Sequence, residues 1–312
     1  MFGPDFAIEQ EKLPELLVKT QKLLVEEFAL TPIMSFELEF FLLKNNEQLE
    51  LTEANLAEFC NSVKEIALNH GLKIGNIAKE VGELQYEVNF KYGSDLIKLA
   101  EDLNKIKLII ANIANSYNCF ASFAAKPHQN KDVGSGMHVH LSLANLQHEN
   151  IFQEKNAIFY QVIAGLLNNL PASMLFFITD KADFSRLVSK FSVPASALRY
   201  RTNATNAPIN VSWGINNRTT ALRIPDHHQD LKARRIEHRV PSSNANPYLV
   251  LIAILLGTYL GLKNKVPTID KIWGNAFDEQ YSLTALPINL AEAKQCFNHS
   301  DIKNLLDKLL SV

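Results

Sequence analysis

The sequence predicts an α+β fold with a mostly antiparallel sheet. Strand-like segments follow one another without a helix between each pair, so a doubly wound parallel sheet is not expected. Four of those segments alternate apolar and polar residues, as strands do when the two faces of a sheet meet different surroundings. Neither GxxxxGK[ST] nor GxGxxG occurs, which argues against a Walker or Rossmann nucleotide site.

The elements follow in order. Residues 11–30 (EKLPELLVKTQKLLVEEFAL) have helical spacing of apolar residues, and SFELEFFLL (35–43) then alternates as a strand. Residues 51–70 read as a helix and QYEVNF (85–90) as a short strand. A long helix over 94–118 opens with the cap signal Ser94-Asp95. Strand ASFAAKP (121–127), loop HQNKDVGSG and strand MHVHLSL (137–143) come next. Residues 153–178 are mainly helical. APINVSWG (207–214), TALRIP (220–225) and RIEHRV (235–240) read as three more strands joined by turn-like segments. Asn246 and Pro247 then start a buried helix, and the last helices fall near 288–310. No linker divides the chain, so one domain over 1–312 is expected.

The chain has 312 residues, 47% of them hydrophobic, enough for a sizeable core. With 33 acidic and 31 basic residues the net charge is -2, and no general field draws the chain to nucleic acid or membrane. Cys60, Cys119 and Cys296 are odd in number and lack metal-type spacing, which suits a reducing cytosol, so a cytoplasmic location is expected. The N-terminus lacks a basic and an apolar region of the secretory kind. The most apolar window, 248–262, is shorter than the roughly 18–20 residues that span a bilayer and reads as a core helix.

Alternation sorts the strand residues into faces. Glu37 and Glu39 share one, as do Gln85, Glu87 and Asn89; His138, His140 and Ser142; and Arg235, Glu237 and Arg239. A solvated sheet face explains the alternation. It explains less well why the polar side lacks Lys and Thr and is rich in Glu, His and Arg. Clustered carboxylates repel unless cations intervene. Carboxylates with one imidazole suit Mg²⁺ or Mn²⁺, and arginines suit phosphate. Metals with arginines point to phosphoryl transfer. Both accounts stand on patterning alone.

In order and over most of the chain, these segments resemble the glutamine synthetase superfamily. The matching stretches are FELEFF, KEVGELQYE, AKP with GSGMHVHLSL, NVSWGINNRTTALRIP and ARRIEHRVPSSNANPYLVL. The combination is highly specific and looks most like the γ-glutamylpolyamine synthetase branch. The resemblance implies a curved, mainly antiparallel sheet flanked by helices. It implies one Mg²⁺ or Mn²⁺ site of Glu39, Glu80 and Glu87 and another of Glu37, His138 and Glu237. Arg218 matches the arginine that approaches the transferred phosphoryl group. Arg223 and Arg235 match arginines near the ATP phosphates, and Ser142 a nucleotide-side contact. Arg239 matches an arginine at phosphate and substrate carboxylate, and His140 a pocket histidine that is not a ligand. Gly134 falls in the substrate loop. Catalysis would rest on Arg218, Arg239 and Glu237.

Several features depart from the family pattern. Val133 stands where housekeeping enzymes have Asn, and GELQ replaces GPGQ. The carboxylate-binding arginine aligns with Arg186 from one side and with Arg199 or Arg201 from the other; Arg186 is favoured. The family's N-terminal β-grasp domain, roughly a hundred residues, is not found ahead of the first helix, and the C-terminus looks shortened. Another polypeptide is then expected to supply the missing wall, or the site is more open, or activity is weakened; a homo-oligomer, or a partner chain carrying that domain, is the expected assembly. Among the other candidates, His238 should face away from the site, His227 and His228 should lie in an exposed loop, and Trp213 should pack.

The implied activity is ATP-dependent formation of a γ-glutamyl amide from glutamate and an amine through an acyl phosphate, with no nucleic-acid or membrane partner. The alternatives are a glutamine synthetase using ammonia, or a weakened binding or regulatory homologue.

Overall fold

The computed structural model describes residues 8–46, 49–128, 133–153, 156–178, 180–188 and 207–311. The helices are α1 (Leu13–Phe28), α2 (Glu53–Asn69), α3 (Leu96–Ser116), α4 (Ala157–Asn168), α5 (Leu170–Phe177), α6 (Lys181–Val188), α7 (Pro247–Asn264), α8 (Leu290–Asn298) and α9 (Asp301–Leu310). The strands are β1 (Thr31–Lys44), β2 (Ile74–Lys79), β3 (Gln85–Phe90), β4 (Cys119–Ser122), β5 (Met137–Ala144), β6 (Trp213–Ile215), β7 (Leu222–Ile224) and β8 (Ile236–His238).

They form one sheet in the order β2-β3-β1-β5-β8-β7-β6, with β4 on the far half of β1. Every pairing is antiparallel except β6 with β7. The mixed fold and mostly antiparallel sheet are thus as the sequence predicts. The differences are local. β2 carries no strand signal in sequence because Ile74–Lys79 (IGNIAK) mixes Gly, Asn and Lys on a half-exposed edge strand. Of 207–214 only Trp213 and Gly214 join a strand, with Asn210 bridging Ala285. β4 begins at Cys119 and ends before AAKP. α6 is not predicted either, since its eight residues offer too few turns for a firm period.

The apolar sides of the strands make the core. Phe36, Leu38, Phe40, Val88, Val139 and Ile236 are fully buried beneath the helices. Side-chain caps fix several helix starts: Thr52 with Asn55 for α2, Asp95 for α3 and Asn246 for α7. Among the described residues α7 is long and apolar enough to cross a membrane, but it is 83% buried and packs on α1, α4 and α5. It is the central helix of the core.

α4 and α7 approach so closely that their crossing depends on glycine. A Cβ on Gly261 would lie 2.2 Å from the Gln161 carbonyl, and one on Gly165 would lie 2.3 Å from the Gly257 carbonyl. Both obstacles are backbone and cannot rotate aside. Gly261→Ala is therefore expected to destabilise the fold by about 1–3 kcal/mol despite the better helix propensity of Ala, read as a lower urea midpoint at unchanged slope.

Candidate active site

The register of five strands lines the polar side chains into a row. Glu39 pairs with Glu87 across β1 and β3, and Glu37 with His138 across β1 and β5. His140 pairs with Glu237 across β5 and β8, and Arg223 with Glu237 across β7 and β8. Directly paired residues point to the same side, so strand pairing alone gathers these groups.

Two ligand groupings result. One atom from each of Glu37, His138 and Glu237 lies within 4.8 Å of the others, and so do atoms of Glu39, Glu87 and His138. The first trio is the one the sequence predicts. The second differs: His138 takes the place of Glu80. The imidazole stands between the two groups, with Nδ1 3.5 Å from Glu37 and 3.7 Å from Glu237, and Nε2 3.7 Å from Glu39. Glu80 sits just past the end of β2, half-buried, where its carboxylate accepts from the Val81 amide at 3.3 Å. It still feels Glu39, His138 and Arg218 electrostatically, and burial, then Glu39, push its carboxyl up.

The charges are not balanced evenly. Burial opposes ionisation of Glu37, but the close imidazoles of His138 and His140 outweigh it and hold the carboxyl well below the usual range. Burial also opposes the Glu237 charge. Arg239, then His138 and His140, outweigh it, and the carboxyl sits at about 2. Arg223 donates to Glu237 at 2.7 Å and Arg239 donates to its other oxygen. Among the described residues, Glu87 has no arginine beside it; Asn89 donates to it at 2.9 Å, which the opposing effects outweigh. Burial, then Glu37, Glu39 and Glu80, push it up to about 8.

This donor set fits divalent cations. The Nδ1 of His138 is buried without a hydrogen-bond partner while two carboxylates face it. Oxygen-rich sites with one imidazole suit Mg²⁺ or Mn²⁺. A cation would also relieve the repulsion that keeps Glu87 protonated.

The other predicted residues occupy distinct places. Arg218 is exposed on the turn between β6 and β7, which Asn217 ties down by bonds to Thr219 and to the Gly274 carbonyl. Arg223 also reaches Asn216 at 2.6 Å. Arg235 donates to His140 at 3.0 Å, and His140 lies 2.7 Å from Glu37. Ser142 lies half-buried two residues farther along β5, opposite Ile33. Gly134 has no room for a side chain, since a Cβ would lie 2.4 Å from the Ala125 carbonyl. Arg186 reaches the same corner from α6, passing Gly134 and Gly136. Its terminal nitrogens donate to the carbonyls of Arg239, Val240 and Pro241, so they brace the exit of β8. The alternatives Arg199 and Arg201 lie outside the described residues. His238 turns to the core against Phe177, ring centroids 4.7 Å apart, and burial lowers its imidazole to about 3. Trp213 packs, its indole donating to Ile269 at 2.7 Å.

Two supports of the site carry no signal of their role in the sequence. Gln85, buried on the Glu87 side of β3, donates to Glu39 and to the Gly134 carbonyl and accepts from the Gly82 amide. It ties together the strand, the glycine loop and the turn before Glu87. Alternation had marked its face; only its polarity hid its use. Ser243 donates to the Glu39 carbonyl and receives Lys107 on its own, and no local pattern announces it.

Binding of a cation beside Glu87 must displace its proton. Affinity for Mn²⁺ at that site is therefore expected to rise about tenfold per pH unit below 8 and to level off above it. Titrations of free Mn²⁺ at several pH values check this, and Glu87→Gln should remove the slope.

Comparison with known proteins accords with this geometry. Residues 14–310 match the family model described as glutamine synthetase, catalytic domain. The γ-glutamylputrescine synthetase PuuA of Escherichia coli K12 is 29% identical over 280 residues, 80% of this chain and 55% of that protein. The glutamate–isopropylamine ligase of a Pseudomonas species is 30% identical over 258 residues, 82% of this chain and 53% of that protein. A glutamine synthetase of Clostridium saccharobutylicum is 28% identical and is covered to 67%. The chain thus spans a little over half to two thirds of the length of these relatives. The solved structure of a GmaS/ADP complex superposes with a TM-score of 0.77 at 22% identity, over 92% of this chain and 68% of that one, and shares its fold. A sheet whose paired strands gather glutamates, histidines and arginines in this order, matched along nearly its whole length, places the chain in the glutamine synthetase family through its catalytic domain.

Proposed function

We propose that the chain is the catalytic part of an ATP- and divalent-metal-dependent ligase that joins glutamate to an amine as a γ-glutamyl amide. The observation that carries this reading is the paired-strand row of Glu39, Glu37, His138 and Glu237, with arginines at its edge. The similarity to enzymes named for putrescine and isopropylamine supports an alkylamine or polyamine as acceptor.

A carboxylate is a poor acyl donor because its leaving group would be oxide. Phosphorylation by ATP makes a γ-glutamyl phosphate, an amine attacks its carbonyl, and phosphate departs. The cations, when bound by Glu37, His138, Glu237, Glu39 and Glu87, neutralise phosphate charge. Glu80 is coupled electrostatically to Glu39, His138 and Arg218 at the edge of this group. Arg223 and Arg239 keep Glu237 ionised. Arg218, exposed on its anchored turn, meets the phosphoryl group as charge builds on it. Ser142 and Arg235 lie on the nucleotide side, and Gly134, His140, Arg186 and Arg239 line the side assigned to glutamate. A cytosolic setting accords with the ATP requirement and with three unpaired cysteines.

The test is amine-dependent ADP release with product mass, using ATP, Mg²⁺ or Mn²⁺, glutamate and a panel of amines including ammonia. A glutamyl alkylamide is expected. Product with ammonia alone would make the chain a glutamine synthetase, and binding of ATP and Mn²⁺ without any product would make it a binding homologue. Arg218→Ala should lower kcat about 10²- to 10³-fold in steady-state kinetics while Mn²⁺ binding is unchanged.

A further inference from the structure

Arg235, His140 and Glu37 form a chain of hydrogen bonds from β8 through β5 to β1. Arg235 Nε donates to His140 Nδ1 at 3.0 Å. An arginine N–H can only donate, so Nδ1 accepts and the imidazole hydrogen sits on Nε2. That nitrogen donates to Glu37 Oε1 at 2.7 Å. Oε1 is thereby engaged. Oε2 is left facing His138 Nδ1, 3.5 Å away, on the side of Glu237.

Arg235 is itself held in place by protein. Its Nη1 donates to the Ala233 carbonyl at 3.2 Å. The neighbouring Arg234 is 7% exposed and donates to the carbonyls of Phe152 at 3.0 Å and Gln153 at 2.6 Å. Asn150 donates to the carbonyls of Lys232 and Arg234, each at 2.8 Å. The segment before β8 is fastened to the segment after β5 by contacts that need no ligand.

We propose that Arg235 is a positioning residue for the metal site, acting through His140 to fix which oxygen of Glu37 is offered to a divalent cation. The inference rests on reading Glu37, His138 and Glu237 as metal ligands. It gives Arg235 a task that precedes nucleotide binding, beside any contact with phosphate. A ligand whose spare oxygen is already hydrogen-bonded has fewer orientations to lose when the ion arrives.

The experiment is a Mn²⁺ titration without nucleotide, following free Mn²⁺ by electron paramagnetic resonance. Wild type is compared with Arg235→Met, His140→Ala, His140→Gln and the double variant Arg235→Met/His140→Ala. Thermal unfolding checks that each is folded, and Arg235→Gln replaces the methionine variant if that one is not. Each of Arg235→Met and His140→Ala should weaken one Mn²⁺ site by about 10- to 100-fold. The double variant should bind no worse than His140→Ala, because both act along one path. His140→Gln, which returns an N–H near the ε position, should recover most of the affinity. If Arg235→Met binds Mn²⁺ like wild type and loses only ATP affinity, the relay is overturned while the metal reading stands. A wild-type protein that binds no Mn²⁺ removes the metal reading and the relay with it.

Discussion

Carboxylates crowded on one sheet face repel one another, and the rest of the site is arranged around that repulsion. Glu237 is the extreme case, 1% exposed and between two arginines. A buried carboxylate of this kind survives only because each oxygen has a cationic donor. Glu37 is settled by two histidines instead. Glu87 is settled by neither and keeps its proton. The row thus runs from fully compensated at β8 to uncompensated at β3. The uncompensated end is where an added cation gains most.

Hydrogen bonding also divides the arginines. Arg223, Arg239 and Arg186 have hydrogen bonds to protein and hold the floor. Arg218 is exposed on a turn that is firmly anchored, an arrangement suited to meeting a substrate. Gln85 and Ser243 brace Glu39 from two sides, so its carboxylate and its backbone are both fixed. Fixed donors and acceptors suit a reaction whose barrier is chiefly electrostatic, since nothing has to reorganise as charge develops.

Much of this was legible because strand alternation is a rigid rule. It placed Glu37 with Glu39, His138 with His140 and Arg235 with Glu237, and turned His238 to the core, where it lies against Phe177. What alternation cannot give is register between strands, so it does not show that the two nitrogens of His138 face both ligand groups. Nor does it reach Glu80, which the family resemblance alone supplies and which lies past a strand end where the face rule no longer holds. Arg186 shows a different limit. Its carbonyl partners lie more than fifty residues away in sequence. Long-range hydrogen bonds leave no local trace.

The dependence of the row on register makes the sheet its own proofreader. A slip of β5 by one residue would carry Val139 to the place of His138 and send both histidines into the apolar layer under the helices. Such a chain would lose ligand and core together. Core packing and ligand placement on β5 therefore depend on one and the same register.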